Sequence, residues 1–237
     1  MTELHTLQFG TSTIHYRVGF RDRATLAISV EPTGDVVVAA PQEAGFEAIA
    51  EKVRIRGRWI LQQQAYFRQF TPRTPPRQYV PGETHLYLGR RYRLRMEPGT
   101  EARVRAVRGF FLVSGVDFYD AERIKTLLDG WYLDHARIQF SKRLQQCRER
   151  FPAQGDFTPS SIKLQAMKSR WGSMSASGRL LLHPHLVRAP VDGIDYVITH
   201  ELCHLEIPNH SRDFYQLLTK VMPDWEKRKD RLELFMA

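Results

Sequence analysis

Between Leu4 and Ala40 apolar and polar residues alternate in short runs. Thr25-Leu26-Ala27-Ile28-Ser29-Val30 and Val36-Val37-Val38 flank Pro32-Thr33-Gly34-Asp35, a pattern that predicts antiparallel strands joined by a tight turn. Beyond Pro41 the period changes. Phe46, Ile49, Val53, Trp59, Ile60 and Phe67 take helical spacing, so one or two helices are expected to about Phe70, interrupted only at Gly57. Thr71-Pro72-Arg73-Thr74-Pro75-Pro76-Arg77 breaks the pattern and reads as an internal linker. Strands resume at Leu86-Tyr87-Leu88, Tyr92 to Met96 and Val104 to Val113. Asp117 to Arg150 then reads as one long amphipathic helix, with Ile124, Leu127, Leu128, Trp131, Ile138 and Leu144 on its apolar side. The expected fold class is α+β: an N-terminal strand-rich portion over 1–116, then a C-terminal portion over 117–237 that includes the long connecting helix.

Composition narrows the classes. Hydrophobic residues make up 42% of the 237. No stretch approaches the roughly 20 apolar residues of a membrane-spanning helix, so no membrane partner is expected. Met1 to Gly10 lacks the basic start, apolar centre and small-residue cleavage site of a secretory signal. Two thiols, Cys147 and Cys203, in an Arg-rich chain suit a reducing compartment, and a cytoplasmic location is the expectation.

The net charge of +9 is uneven: residues 1–110 hold 17 basic against 10 acidic side chains, and 111–237 hold 18 against 16. Alternation puts Arg91, Arg93 and Arg95 on one face, with Arg103 and Arg105 expected beside them. Such a basic N-terminal face either contacts water or a polyanion such as nucleic acid.

The chemistry concentrates in Asp195-Tyr196-Val197-Ile198-Thr199-His200-Glu201-Leu202-Cys203-His204-Leu205. Two imidazoles and a carboxylate interrupt an otherwise apolar helix, and polar groups in such a setting need a reason. Residues i and i+4 stack on a helix, so His200 and His204 can turn ring nitrogens toward one zinc ion. Glu201, offset around the helix, suits a general base that deprotonates the metal's water. A catalytic zinc needs a third protein ligand, and His210 follows six residues later. Pro208 disfavours helix at Ile207, and Asn209 tolerates a left-handed conformation that would bring His210 back. Ser211 is then the expected cap of the next helix. The spacing is that of the metzincins, but Ile207 stands where their glycine is expected, and no methionine turn follows. Cys203 reads as a small buried hydrophobe, and Trp131, Trp171 and Trp225 as packing residues.

Residues 168–225 resemble the YgjP-like metallopeptidases, bacterial metal-dependent hydrolases related to the SprT-like and minigluzincin peptidases. The resemblance rests on Ser169-Arg170-Trp171-Gly172-Ser173-Met174, Gly178, Leu180-Leu181-Leu182-His183, Tyr196-Val197 through Leu205, Asn209-His210-Ser211-Arg212-Asp213-Phe214 and Pro223-Asp224-Trp225. Met174 stands where that family usually has cysteine, and His183 where it usually has asparagine. The resemblance implies a zincin-like catalytic portion, one catalytic Zn2+ on His200, His204 and His210, and a catalytic Glu201.

The function expected from these residues is a zinc-dependent metallopeptidase acting on a peptide or protein. Its rivals are a zinc hydrolase of another amide or ester, and a nucleic-acid-associated protein with a structural metal site. Arg170, Tyr196 and Tyr215 are candidates for stabilising an oxyanion, and His183 for a substrate contact or a hydrogen bond behind a ligand. Arg179-Leu180-Leu181-Leu182 is expected to form a strand beside the metal helix, with an exposed edge able to bind an extended peptide.

Overall fold

The computed structural model describes residues 3–31, 33–68, 75–167 and 170–236. The chain forms two compact units, Met1–Thr74 and Pro75–Ala237. In the first, alternation along β2 (Ser12–Arg21) buries Ile14, Tyr16 and Val18, and along β4 (Val36–Pro41) it buries Val36, Val38 and Ala40. With β1 (Glu3–Phe9) and β3 (Ala27–Val30) these strands make a sheet of order β1-β2-β4-β3. The expected β3–β4 hairpin is present, closed by Gly34 N–H donating to the Glu31 carbonyl at 2.8 Å. Local alternation did not indicate the parallel pairing of β2 with β4. Ile49 and Val53 of α1 (Phe46–Ile55) and Ile60 of α2 (Gly57–Arg68) complete this core.

The second unit opens with four strands in the same arrangement. These are β5 (Thr84–Tyr87), β6 (Arg90–Met96), β7 (Arg103–Val107) and β8 (Phe110–Ser114), in the order β5-β6-β8-β7, with the central pair β6–β8 again parallel. Leu94, Phe111 and Val113 share one hydrophobic core with Ile124, Leu128 and Tyr132 of α3 (Ala121–Arg148), and the Tyr132 hydroxyl donates to the Leu86 carbonyl at 2.7 Å. The strands of 84–114 therefore belong with the C-terminal unit. The sequence reading had put them in the 1–116 portion, because alternation shows a buried face without showing which helix covers it. The expected Thr71–Arg77 linker spans the boundary, with 71–74 outside the described residues.

Asp120 caps α3 by accepting from the Arg123 amide at 2.9 Å. Its buried stripe runs through Ile124, Leu128, Tyr132, Ala136 and Phe140 in steps of four, so Ile138 lies off the stripe and is 62% exposed, contrary to the expected apolar face. Arg103 and Arg105 fall on the same face of the sheet as Arg91, Arg93 and Arg95, as expected, but not on a neighbouring strand, since β8 runs between β6 and β7.

A three-stranded sheet follows, with β11 (Arg179–Leu182) antiparallel to β10 (Gly172–Met174) and parallel to β9 (Ser161–Leu164). The Arg179–Leu182 strand is central, with Leu180 and Leu182 fully buried, so the edge against the metal helix is β10 rather than the expected β11. A 3-10 helix (Pro184–Arg188), α4 (Val191–Cys203), α5 (Arg212–Val221) and α6 (Trp225–Met236) complete the unit. The tip of the β5–β6 hairpin bonds to this region: the Leu88 and Gly89 amides donate to the Val187 and Arg188 carbonyls at 2.9 and 3.1 Å. A Cβ on Gly89 would stand 2.9 Å from Cα of Pro190, the residue that begins α4. Among the described residues no helix is long and apolar enough to cross a membrane.

Candidate metal centre

The metal helix is buried nearly all round: Ile194 to Thr199 and Glu201 to Cys203 are each under a tenth exposed. Pro190 is the N-cap of α4, outside the helical hydrogen-bond ladder, where its missing N–H costs no helical bond. His200 and His204 lie one above the other near its C-terminal end, with rings 5.2 Å apart. Beyond Cys203 the chain tightens through short bonds, Leu205 N–H to the Leu202 carbonyl and Glu206 N–H to the Cys203 carbonyl. Asn209 is not among the residues with positive φ, so the return of His210 does not use the left-handed turn expected there. Ser211 does cap α5, accepting from the Phe214 amide at 3.4 Å.

This turn brings one ring nitrogen from each of His200, His204 and His210 within 4.8 Å of the others. Nε2 of His200 and Nε2 of His210 are 2.9 Å apart. Nδ1 of His204 lies 3.0 Å from the Ile207 carbonyl; donating there leaves Nε2 unprotonated, which is how metal-binding imidazoles are oriented. Burial and the two neighbouring imidazoles push the His200 ring down to about 3, and burial, then His204, lowers His210. Ring nitrogens converging in this way fit a divalent metal with a fourth position left open. The buried ring of Phe214 is the floor beneath them, 4.9, 4.6 and 4.8 Å from the rings of His200, His204 and His210.

Glu201 is 7% exposed and burial pushes its carboxyl up to about 7, opposed by a backbone hydrogen bond from Met174 and by the charge of Arg170. Strand β10 passes directly over it. A Cβ on Gly172 would stand 2.8 Å from Cγ of Glu201 and 2.9 Å from Cγ1 of Val197, so only glycine allows this approach.

Of the other sequence candidates, Arg170 is exposed, with its guanidinium 3.3 Å from the Ser173 hydroxyl, and its charge reaches Glu201. The buried Tyr196 ring lies 5.8 Å from His200, and the Tyr215 ring 6.2 Å from His210. His183 is turned elsewhere: its ring faces Trp171 and His185, and its Nδ1 accepts from the His185 amide at 3.1 Å as the cap of the 3-10 helix.

The sequence reading missed three contributors. Trp225 stacks with both Tyr196 and Tyr215, and its indole N–H donates to Thr219 at 3.1 Å. With Tyr215, Thr219, Pro223 and Glu226 it lines a groove of about 420 Å³. Phe214 stands in the Asn209–Phe214 motif, but the local text gives no sign that its ring lies under all three imidazoles. Asp195, 2% exposed, accepts from Arg143 Nε at 2.6 Å and from a second Arg143 nitrogen, and from Arg150 at 3.1 Å, with Arg228 at 3.9 Å. A carboxylate inside an apolar helix was a signal for such a clasp; its partners lie too far along the chain to be read locally.

A helix presenting two imidazoles and a carboxylate, closed by a third imidazole from the turn that follows, is the architecture of an HExxH metallopeptidase. The chain belongs to the YgjP-like metallopeptidase-domain family, whose model matches residues 24–234. No functionally curated protein matches it significantly. Among solved structures it is similar to the metallopeptidase zymogen abylysin of Pyrococcus abyssi, at 20% identity and a TM-score of 0.34, over 39% of this chain and 90% of that one.

Proposed function

We propose that the protein is a zinc-dependent peptidase in which His200, His204 and His210 hold one ion and Glu201 is the general base. The observation that carries this reading is the convergence of three ring nitrogens within 4.8 Å beside a buried carboxylate. Three imidazoles suit zinc among the abundant divalent ions. A zinc ion there would supply Lewis acidity, acidifying a water and polarising the scissile carbonyl. Glu201 takes up the water's proton and returns it to the leaving amine; a carboxyl raised to about 7 is matched to both transfers. Tyr196 and Tyr215 are assigned to the oxyanion. Burial keeps the Tyr196 phenol protonated as a donor. Arg170 biases Glu201 through its charge, and His183, whose ring faces Trp171 and His185, is given no part in the reaction.

The edge strand favours a peptide over another amide. The Trp171 carbonyl accepts from the His183 amide and the Ser175 amide donates to Arg179, so alternation turns the polar groups of Gly172 and Met174 away from β11. The Met174 N–H is engaged by Glu201, so the Met174 carbonyl and the Gly172 groups are what that edge offers an extended peptide, and the Trp225 groove suits one of its side chains. The test pairs metal analysis with peptide hydrolysis for the wild type and Glu201→Gln. The variant is expected to keep one equivalent of zinc and lose about 10²–10⁴-fold in turnover. Undiminished turnover by the variant would reject Glu201 as the base, and absence of bound zinc from both proteins would reject the metal centre.

A further inference from the structure

The outward side of the second sheet takes no part in that chemistry. On β6, Arg91, Arg93 and Arg95 are exposed while Leu94 between them is buried, so the three guanidiniums leave the sheet on one side. Among the described residues none of the three has an ion-pair partner. Two strands away the basic residues are neutralised, with Arg105 2.7 Å from Glu97 and Arg103 3.8 Å from Glu101. Residues 75–110 hold 8 basic and 3 acidic side chains, an excess of five out of the chain's nine.

Alternate residues of a strand are roughly 6.6 Å apart, so the row offers three charges at a spacing close to that of successive phosphates in an extended nucleic-acid strand. An extended acidic peptide would match that spacing too; an apolar ring decides between them. The β6–β8 register puts Phe110 directly beside Arg93, and the Arg95 guanidinium lies 5.9 Å from the Phe110 ring centroid. Phe110 is half-buried on the same outward side, so its ring supplies a surface on which a base, but not a glutamate, can stack. A base can stack on such a ring only when it is not paired inside a duplex, which favours a single strand.

We propose that the outward face of β5–β8 binds single-stranded nucleic acid, with phosphates along Arg91, Arg93 and Arg95 and a base on Phe110. The inference is independent of the metal site. It is tested on the full-length protein with a short fluorescent oligothymidylate, by anisotropy between about 50 and about 200 mM salt. Replacing Arg91, Arg93 and Arg95 together by Gln should weaken binding more than tenfold at low salt and reduce the log–log salt slope by about 2, three charges at about 0.7 each. Phe110→Ala should weaken binding by about tenfold and leave the slope unchanged. Gln at Arg54, Arg56 and Arg58, exposed in the other unit, removes the same charge and should change affinity less than twofold. Equal losses in the two triple variants, no loss in the first, or tighter binding to a polyglutamate of equal charge would each overturn the proposal. Should the first triple variant fail to fold, Arg93→Gln alone decides, with an expected slope change of about 0.7.

Discussion

The sheets β1–β4 and β5–β8 are built alike. In each, two antiparallel hairpins meet through a parallel pair of central strands, and the chain then continues into helix. Their exposed sides differ. The outward positions of β2 are Thr13, His15 and Arg17, whereas those of β6 are Arg91, Arg93 and Arg95. Met1–Thr74 holds 9 basic and 7 acidic residues, so it carries two of the nine excess charges and Pro75–Ala237 carries seven. One topology with two decorations teaches that the arginine row is no requirement of the strand arrangement. It also teaches that the basic surface, read from the sequence as N-terminal, belongs to the unit that contains the metal centre.

Because each sheet has a core of its own, the comparison is broken most severely from inside. Phe111→Ala should destabilise Pro75–Ala237 by about 3–5 kcal/mol and Ile14→Ala should destabilise Met1–Thr74 by about 2–5 kcal/mol. Calorimetry with zinc analysis checks the consequence: only the Phe111 variant should lose metal at the lower temperature. If Ile14→Ala lowered metal retention equally, the two units would be one cooperative structure. A somewhat smaller loss, about 3 kcal/mol, is expected for Asp195→Ala, which leaves the guanidinium of Arg143, 18% exposed, without its partner. Denaturant midpoints should show that loss in the second transition alone. The smallest effect, about 1–3 kcal/mol, is expected for Gly172→Ala, since the new methyl group must displace the Glu201 side chain. Here turnover at equal zinc occupancy should fall further than stability suggests; a fall in stability with unchanged turnover would mean that Glu201 tolerates displacement.

What the sequence made legible was local. The turn at Gly34, the helical period from Phe46 to Phe67, the cap at Ser211 and the spacing of His200, Glu201, His204 and His210 each depend on neighbours within a few turns of chain. What it hid was long-range. Alternation marks which side of β2 or β6 is buried, but it carries no information on a parallel partner that arrives after an intervening hairpin. For the same reason Leu180 and Leu182 read as an edge strand while β10 and β9 flank them. Asp195 is clasped by Arg143 and Arg150, 52 and 45 residues upstream, so the local text shows a misplaced carboxylate and not its remedy.

The contact between the β5–β6 hairpin and the start of α4 has a mechanical consequence. Leu88 and Gly89 grip Val187 and Arg188, and Gly89 abuts Pro190, so the first turn of the metal helix is clamped at one end and the arginine strand begins at the other side of the same clamp. The hairpin is thus a strut of fixed length. A displacement of that hairpin tip therefore presses first on the foot of the helix bearing Glu201.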